Sequence, residues 1–349
     1  MQTAYQEITA MRKSGQLAEA AALAHQALIE FPQDLWLRRA AAWVFYDELK
    51  RAIYKVDLAA VDHWYLKLKS LCLPDDEAVF WQSVWNQIGE LLIRLGQLGQ
   101  FDAFDQILAY TTTLPVNRPS EVYSHWLEQV LIAGRHWDQL ADFIIDWDLA
   151  NLQPENYVPP VHDDGSTGLA LAEDAHISLA RALLASPDQE EGEDEITSLL
   201  PICLMLLDRL VAHHPRYQYA PFYITKILIR LGQTAEAIKR ANAICVDNPY
   251  VFWAWRNLAE CYAVTDPDQY ILNLQKAVEV GTQKQGGPFA QSDADKLGPT
   301  RLALATALLD RGDKPGAAEV LRQYRADAEN RQKPLPKQYE RLASRTAGW

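Results

Sequence analysis

Residues 232–262 read GQTAEAIKRANAICVDNPYVFWAWRNLAECY, and the spacing of a few residues in this stretch decides the fold. Gly232 permits a tight turn between two helices, because glycine tolerates backbone angles that other residues avoid. Ala237 and Ala241 are small enough to let the following helix approach its neighbours closely. Pro249 ends that helix and starts the next unit. The stretch therefore predicts a helix, a sharp break and a further helix.

The helix expected after Pro249 has residues for packing at helical spacing, namely Trp255, Leu258, Ala259 and Tyr262. The part before the proline has a counterpart near the N-terminus, where residues 15–32 read GQLAEAAALAHQALIEFP. Glycine, three small or apolar residues and proline stand at identical offsets in the two segments: Gly15, Ala20, Ala24, Ala27 and Pro32, and Gly232, Ala237, Ala241, Ile244 and Pro249. A motif that recurs along a chain indicates repeated helix pairs.

Gly232 to Tyr262 resembles the second helix of one tetratricopeptide (TPR) repeat running into the first helix of the next, including the W-x-x-L-G/A-x-x-Y half of the motif. The resemblance implies an all-α fold, an α-solenoid in which antiparallel helix pairs stack into a right-handed superhelix. It also implies that the first helices of the pairs line a concave groove. In this family the usual role of the groove is to bind another protein.

Helical periodicity extends over most of the chain, and sustained period-2 alternation is absent. We expect about eight antiparallel helix pairs, at 1–33, 34–74, 76–115, 119–150, 168–215, 218–249, 251–281 and 294–328. An amphipathic helix near 335–346 is expected to cap the stack, because a terminal repeat has to shield the apolar face of its neighbour. We predict N-terminal repeats over 1–150, a proline-rich linker at 151–168, and C-terminal repeats with the capping helix over 169–349.

The composition favours a soluble, cytoplasmic protein and disfavours several kinds of partner. A formal charge of -13 argues against nucleic acid, which requires a concentrated basic face. No run of eighteen apolar residues occurs, so no membrane span is expected. The polar N-terminus lacks the apolar core of a signal peptide. The four cysteines are widely spaced in apolar helical contexts and are expected to be buried, unpaired thiols: Cys72, Cys203, Cys245 and Cys261.

Motifs for chemistry are missing from the sequence. Phosphate-binding, zinc-protease and hydrolase signatures do not occur, so we expect no catalytic residue, metal site or cofactor. One remote alternative is a metal-dependent enzyme that uses His162 with Asp163 or Asp164, three polar residues in a Pro/Gly-rich loop. The acidic run 188–195 lacks the ligand spacing of a calcium loop and is expected to be solvated.

The TPR resemblance places the candidate partner-binding residues between the packing positions of the first helices. Carried onto this sequence, it implies a groove with an aromatic floor, cations above it, and an Asn at the place that commonly holds a ligand backbone or carboxylate. The residues are Arg181, Tyr219, Phe222, Tyr223, Lys226, Trp253, Arg256, Asn257 and Glu260. An alternative is that the aromatic residues pack against the protein itself.

Two functions remain open besides the enzyme. The first is a non-catalytic scaffold that binds a peptide or helix of a protein partner in the groove. The second is an arm or regulatory subunit of a larger bacterial effector, signalling or defence assembly, which acts through self-association or enzyme docking. The segment 311–346 favours self-association, because it has nine Lys and Arg residues against five acidic ones in an otherwise acidic chain.

Overall fold

A computed structural model describes residues 2–74, 77–110, 119–163, 165, 167–185, 195–283 and 290–347. Over these residues the chain forms seventeen α-helices and no β-strand, apart from one isolated antiparallel bridge between Val161 and Thr167. None of the helices in these ranges is long and apolar enough to cross a lipid bilayer. The predicted all-α fold is confirmed.

Consecutive helices form pairs. In the N-terminal half the pairs are α1 (Gln2–Lys13) with α2 (Leu17–Glu30), α3 (Leu35–Lys55) with α4 (Leu58–Ser70), α5 (Ala78–Gln97) with α6 (Phe101–Leu108), and α7 (Glu121–Ala133) with α8 (Leu140–Asp146). The helices α9 (Leu171–Ala185) and α10 (Glu195–His213) follow. The pairs then continue with α11 (Ala220–Arg230) and α12 (Thr234–Asp247), α13 (Phe252–Tyr262) and α14 (Pro267–Gln283), and α15 (Ala290–Asp310) and α16 (Lys314–Asn330).

These sixteen helices lie where helical periodicity predicts them, and a final helix, α17 (Lys337–Arg345), follows as the predicted cap. Tyr339 and Leu342 of α17 are buried in the hydrophobic core formed by α13 to α16. They cover the apolar side of the last pair, which would otherwise be exposed to water. The architecture is a TPR-like α-solenoid.

The glycines and alanines of the repeat motif have the structural roles that their residue types predict. Gly15 and Gly232 occupy the turns inside their pairs with φ angles of +83° and +71°, a left-handed conformation that favours glycine. Ala20, Ala24, Ala237 and Ala241 are fully buried at the helix contacts. Small side chains at these positions allow close approach of the helix axes.

The chain divides into two compact units, residues 1–182 and residues 183–349. This division differs from the predicted linker at 151–168, which lies inside the first unit. That segment is held by hydrogen bonds: the Ser124 hydroxyl of α7 donates to Asn156 Oδ1 at 2.6 Å, and the Tyr157 hydroxyl donates to the Leu149 carbonyl at 3.3 Å. It is therefore a part of the first unit and not a separator.

The cysteine prediction is correct for three residues and wrong for one. Cys203, Cys245 and Cys261 are buried thiols, but Cys72 is exposed, and all four are unpaired. The chain leaves α4 through buried Leu71, and Cys72 then takes a left-handed backbone conformation with φ +46°. The apolar helical context ends one residue before Cys72, and its side chain lies on the surface.

Candidate functional site

The candidate site lies on two consecutive first helices of the second unit, α11 and α13. Pro221 stands in the first turn of α11, where its missing amide hydrogen is not needed by the helix. The turn from α12 to α13 is held by Trp255, whose indole nitrogen donates to the Pro249 carbonyl at 2.9 Å. Trp255 is half-buried and packs against the core of the unit, in agreement with the predicted packing role.

The residues of α13 separate into two stripes. Ala254, Asn257, Leu258 and Cys261, at the spacing of one helical face, are all buried. Trp253, Arg256 and Glu260, on the neighbouring face, are half-buried. We call this second stripe, together with four residues that lie at the start of α11 and along it, the α11–α13 face. The four residues are Tyr219, Phe222, Tyr223 and Lys226.

Aromatic rings connect the two helices of this face. The Phe222 ring contacts Trp253 edge to face with a centroid separation of 6.4 Å, and it meets Tyr223 in the same manner at 5.5 Å. Tyr219 is 48% exposed at the start of α11. Phe222 is therefore the central member of three contacting rings, and their role as the floor of a binding groove stays a prediction.

Charged side chains converge beside the rings. The Glu260 carboxylate lies 3.5 Å from Lys226 Nζ and 3.2 Å from Arg256 Nε. Lys226 Nζ also lies 4.6 Å from the centroid of the Phe222 ring, within the range of a cation–π interaction. Two cations thus share one carboxylate, which leaves the trio with a net charge of +1.

Two charges of this trio affect the pKa of a neighbouring tyrosine. Burial is the main cause that raises the pKa of Tyr270 on α14, the Glu260 carboxylate raises it further, and Arg256 opposes both. The field of Glu260 and Arg256 therefore reaches the adjacent second helix. Tyr270 stays a neutral hydrogen-bonding group at physiological pH.

Asn257 is where the prediction of the site is wrong in its geometry. Its side chain is 0% exposed, and its oxygen accepts a 2.8 Å hydrogen bond from the Thr225 hydroxyl of α11. Its amide nitrogen has no hydrogen-bond partner among the described residues. Position 257 belongs to the buried stripe of α13, so Asn257 joins two helices in the interior and does not line a groove.

Arg181 belongs to α9 in the first unit, whereas the other predicted groove residues belong to the second unit. Its positive charge acts on Asp174 of the same helix, where it opposes the effect of burial on the pKa of that carboxyl. Arg181 therefore belongs to the first unit, and its place among the partner-binding residues stays a prediction.

The residues of the enzyme alternative do not come together in the part of the chain that is described. His162 and Asp163 lie on the exposed segment before α9, and Asp164 lies outside the described residues. Within the described ranges, no group of three or more His, Cys, Asp or Glu side chains could hold a metal ion. Residues 188–194 of the acidic run 188–195 are likewise outside the described residues.

Sequence reasoning did not find the cavity beside Trp253. It has a volume of about 640 Å³ and lies where the start of α11, the end of α12 and the start of α13 meet. Its lining includes the apolar residues Val211, Pro221, Ile224 and Ile244 and the charged residues Arg216, Arg240 and Asp247. The residues come from four helices, and their separation along the chain hides the cavity from pattern analysis.

A second feature absent from the predictions is a set of arginine–tryptophan contacts in the first unit. Arg12 lies over Trp43 at 5.0 Å and forms an ion pair with Asp47, and Arg39 lies over Trp36 at 5.2 Å. Stacking on tryptophan and pairing with carboxylates hold these cations in place on α1 and α3.

The repeat motif, the successive helix pairs and the packing roles of the motif residues define the chain as a TPR-like helical-repeat protein. A family model described as a domain of unknown function, DUF7017, matches residues 218–347, which lie within the second unit. No curated protein sequence is significantly similar to the chain.

Several solved structures are similar to the chain. The apo form of RapI has 11% sequence identity and a TM-score of 0.48, over 86% of this chain and 79% of that chain. A human IFIT1 dimer with m7Gppp-AAAA has 10% identity and a TM-score of 0.40, over 89% and 68%. The TPR2AB domain of yeast Sti1, in a complex with pHSP90, has 13% identity and a TM-score of 0.27, over 84% and 96%. At these scores no function is transferred.

Proposed function

We propose that this protein is a non-catalytic interaction scaffold, and that the α11–α13 face binds a segment of a protein partner. The observation that carries the proposal is the shared carboxylate of Glu260, which holds Lys226 and Arg256 beside the contacting rings of Phe222 and Trp253. Aromatic and arginine side chains are the types that protein interfaces enrich.

The charge of the trio indicates the chemistry of the partner. Lys226, Arg256 and Glu260 have side chains that are 34%, 36% and 30% exposed, so a ligand is able to reach them. Their net charge of +1 contrasts with the formal charge of -13 of the whole chain. A partner carboxylate, from an acidic side chain or a chain terminus, would contact both cations in the way that Glu260 does.

The cavity beside Trp253 supplies the second requirement of a specific site. Fully buried apolar anchors give most of the affinity in small interfaces, and charged groups at the rim contribute orientation. The cavity accommodates one large apolar side chain against Val211, Ile224 and Ile244. The proposed ligand is therefore a peptide or helix with an apolar anchor and a carboxylate.

The test is capture of partners from a native lysate of the source organism. The intact protein is compared with Tyr223→Ala/Lys226→Ala/Arg256→Ala and with a matched control, Tyr250→Ala/Lys239→Ala/Lys276→Ala, whose residues lie outside the face. We expect at least one partner to be lost with the first variant and retained by the control. Equal retention by all three proteins, with equal melting temperatures, would contradict the proposal.

A second candidate function is a regulatory arm of a larger assembly that acts through self-association. The observation that favours it is the pair of exposed cations Lys337 and Arg341, one turn apart on α17, for which the described residues provide no acidic partner. Other cations of the basic segment are already paired, such as Arg345 with Asp310 at 3.2 Å. Light scattering at two salt concentrations tests it, because ionic association weakens as salt rises.

A further inference from the structure

A cavity of about 520 Å³ lies in the first unit, and the proposed function uses none of its residues. Three first helices, α5, α7 and α9, form its walls together with the segment at 153–160. The residues around it are Gln82, Asn86, Glu121, Val122, Ser124, His125, Glu128, Gln153, Glu155, Asn156, Val158, Pro160, Leu169, Leu171 and Asp174.

The charge of the lining has one sign. Glu121, Glu128, Glu155 and Asp174 contribute four carboxylates, and no Lys or Arg is among the lining residues that the structure describes. His125 Nδ1 lies 3.3 Å from Glu128 Oε2. The carboxylates are spread over the cavity, and no three acidic or histidine side chains of the described residues approach closely enough to hold one metal ion. The lining therefore favours a positively charged ligand.

One wall of the cavity is fixed before any ligand arrives. The Ser124 hydroxyl donates to Asn156 Oδ1 at 2.6 Å, and the same oxygen accepts from the Gln153 backbone nitrogen at 2.9 Å. The Gly168 backbone nitrogen donates to the Pro160 carbonyl at 2.7 Å. These bonds hold the segment against α7, so binding does not require the wall to be ordered, which reduces its entropic cost.

Asp174 is the most enclosed of the four carboxylates. Burial is the main cause that raises its pKa, and Arg181, the Ser178 side chain and Arg135 act in the opposite direction. The cations of Arg181 and Arg135 thus offset part of the desolvation of Asp174 from outside the lining. A ligand cation inside the cavity would stabilise the ionised carboxylate further.

The geometry of α7 sets the spacing of the ligand charges. Glu121 and Glu128 are seven residues apart on one helix, which corresponds to ~10 Å along its axis. Two side chains three residues apart in an extended segment of polyproline II conformation lie on the same face and are ~9 Å apart, a similar distance. We propose that the cavity binds an extended segment of a protein partner with two Lys or Arg residues three positions apart. Charge complementarity to the four carboxylates identifies the ligand as basic.

The probe for this proposal is an acetylated, fluorescein-labelled Gly/Ser peptide with lysines at positions 3 and 6, and fluorescence anisotropy with the full chain measures its affinity. The matched peptide contains glutamate in place of lysine. An acidic chain attracts any cationic peptide, so binding of the lysine peptide does not by itself test the proposal. The test is the comparison of cavity variants with a control variant. Glu121→Gln/Glu155→Gln and Glu128→Gln/Asp174→Asn remove charges from the cavity. Glu19→Gln/Asp142→Asn removes the same number from exposed positions elsewhere in the first unit.

We expect each cavity variant to weaken lysine-peptide binding at least fivefold at physiological salt, and the control variant to change it less than twofold. Glu121 and Glu155 are exposed, so their variant keeps the test valid if the Asp174 variant fails to fold. Equal weakening by cavity and control variants, or no binding of the lysine peptide at millimolar concentration, would overturn the proposal. If the protein self-associates, and both Lys337→Ala/Arg341→Ala and the cavity variants abolish this self-association, a second copy of the chain is the occupant of the cavity. That result would overturn the assignment to a foreign partner.

Discussion

The Thr225 hydroxyl donates a 2.8 Å hydrogen bond to the side-chain oxygen of Asn257 and so joins α11 to α13 inside the second unit. Both side chains are 0% exposed, and the same hydroxyl lies 2.7 Å from the Phe222 carbonyl. The bond fixes the position of α13 against α11. The relative positions of Lys226, Arg256 and Glu260 depend on this contact, because they lie on the same two helices.

The first prediction concerns Asn257. Replacement by alanine removes the interhelical hydrogen bond and leaves a small void, so Asn257→Ala should lower the free energy of unfolding by about 1–3 kcal/mol. The matched control is Asn242→Ala, at an exposed position of α12 where a change should stay within ~0.5 kcal/mol. Urea unfolding measures both. Equal stability of the two variants would show that the Thr225–Asn257 bond does not hold the helices together.

The second prediction concerns two glycines of α5. A Cβ atom on Gly96 would lie 2.1 Å from the Ala133 carbonyl oxygen of α7, whereas one on Gly89 would meet the flexible Gln129 side chain at 3.3 Å. Gly96→Ala should therefore cost about 1–3 kcal/mol or more through overpacking. Gly89→Ala should be neutral or should stabilise by up to ~1 kcal/mol, since alanine favours the helix. Thermal unfolding distinguishes them, and equal melting temperatures would contradict the close packing of α5 on α7.

The third prediction concerns the thiols. Burial raises the pKa of Cys203, Cys245 and Cys261 to about 12, so these residues stay protonated and covered at neutral pH. Cys72 is exposed. Since the thiolate is the reactive species, Ellman's reagent should titrate one fast thiol in the native protein and four after unfolding. Cys72→Ser should remove the fast phase, and a fast phase that persists in this variant would place another cysteine on the surface.

The helix pairs were predictable because local spacing determines them. A glycine that requires a left-handed turn, small residues at one helical face and a terminating proline act within about twenty residues of each other, and all are visible in the sequence. The capping helix was predictable for a similar reason, since the three-residue spacing that puts Tyr339 and Leu342 on one buried face of the helix is local.

The details of the site were less predictable. The burial of Asn257 was readable in principle, because Ala254, Leu258 and Cys261 stand at the spacing of one face that also includes position 257. The resemblance to TPR grooves assigns position 257 by its residue type, which does not indicate the face of the helix on which the residue lies. The apolar neighbours of Cys72 predict burial, but the helix ends just before it.

The cavity of the first unit could not be predicted from spacing. Its lining comes from four separate parts of the chain, around residues 82–86, 121–128, 153–160 and 169–174. The stacking of helix pairs brings these parts together, and no local pattern records which residues will face each other. For the same reason, the carboxylate of Glu260 between two cations of different helices became apparent only in the structure.

The most direct test of the proposed face is the affinity of the captured partner segment, prepared as a peptide, for wild type, Glu260→Gln and Lys226→Ala/Arg256→Ala. Glu260 occupies the cations that the ligand carboxylate needs, so its loss raises the charge of the trio from +1 to +2. Ion pairs between side chains that are 30–36% exposed contribute little to stability, and all three proteins should melt alike.

We predict that Glu260→Gln binds the peptide about threefold to tenfold more tightly, which corresponds to roughly 0.7–1.4 kcal/mol, and that the double alanine variant binds at least about tenfold more weakly. Dissociation constants of the three proteins that agree within twofold would contradict the account, and the aromatic and charged residues of the α11–α13 face would then serve the packing of the unit alone.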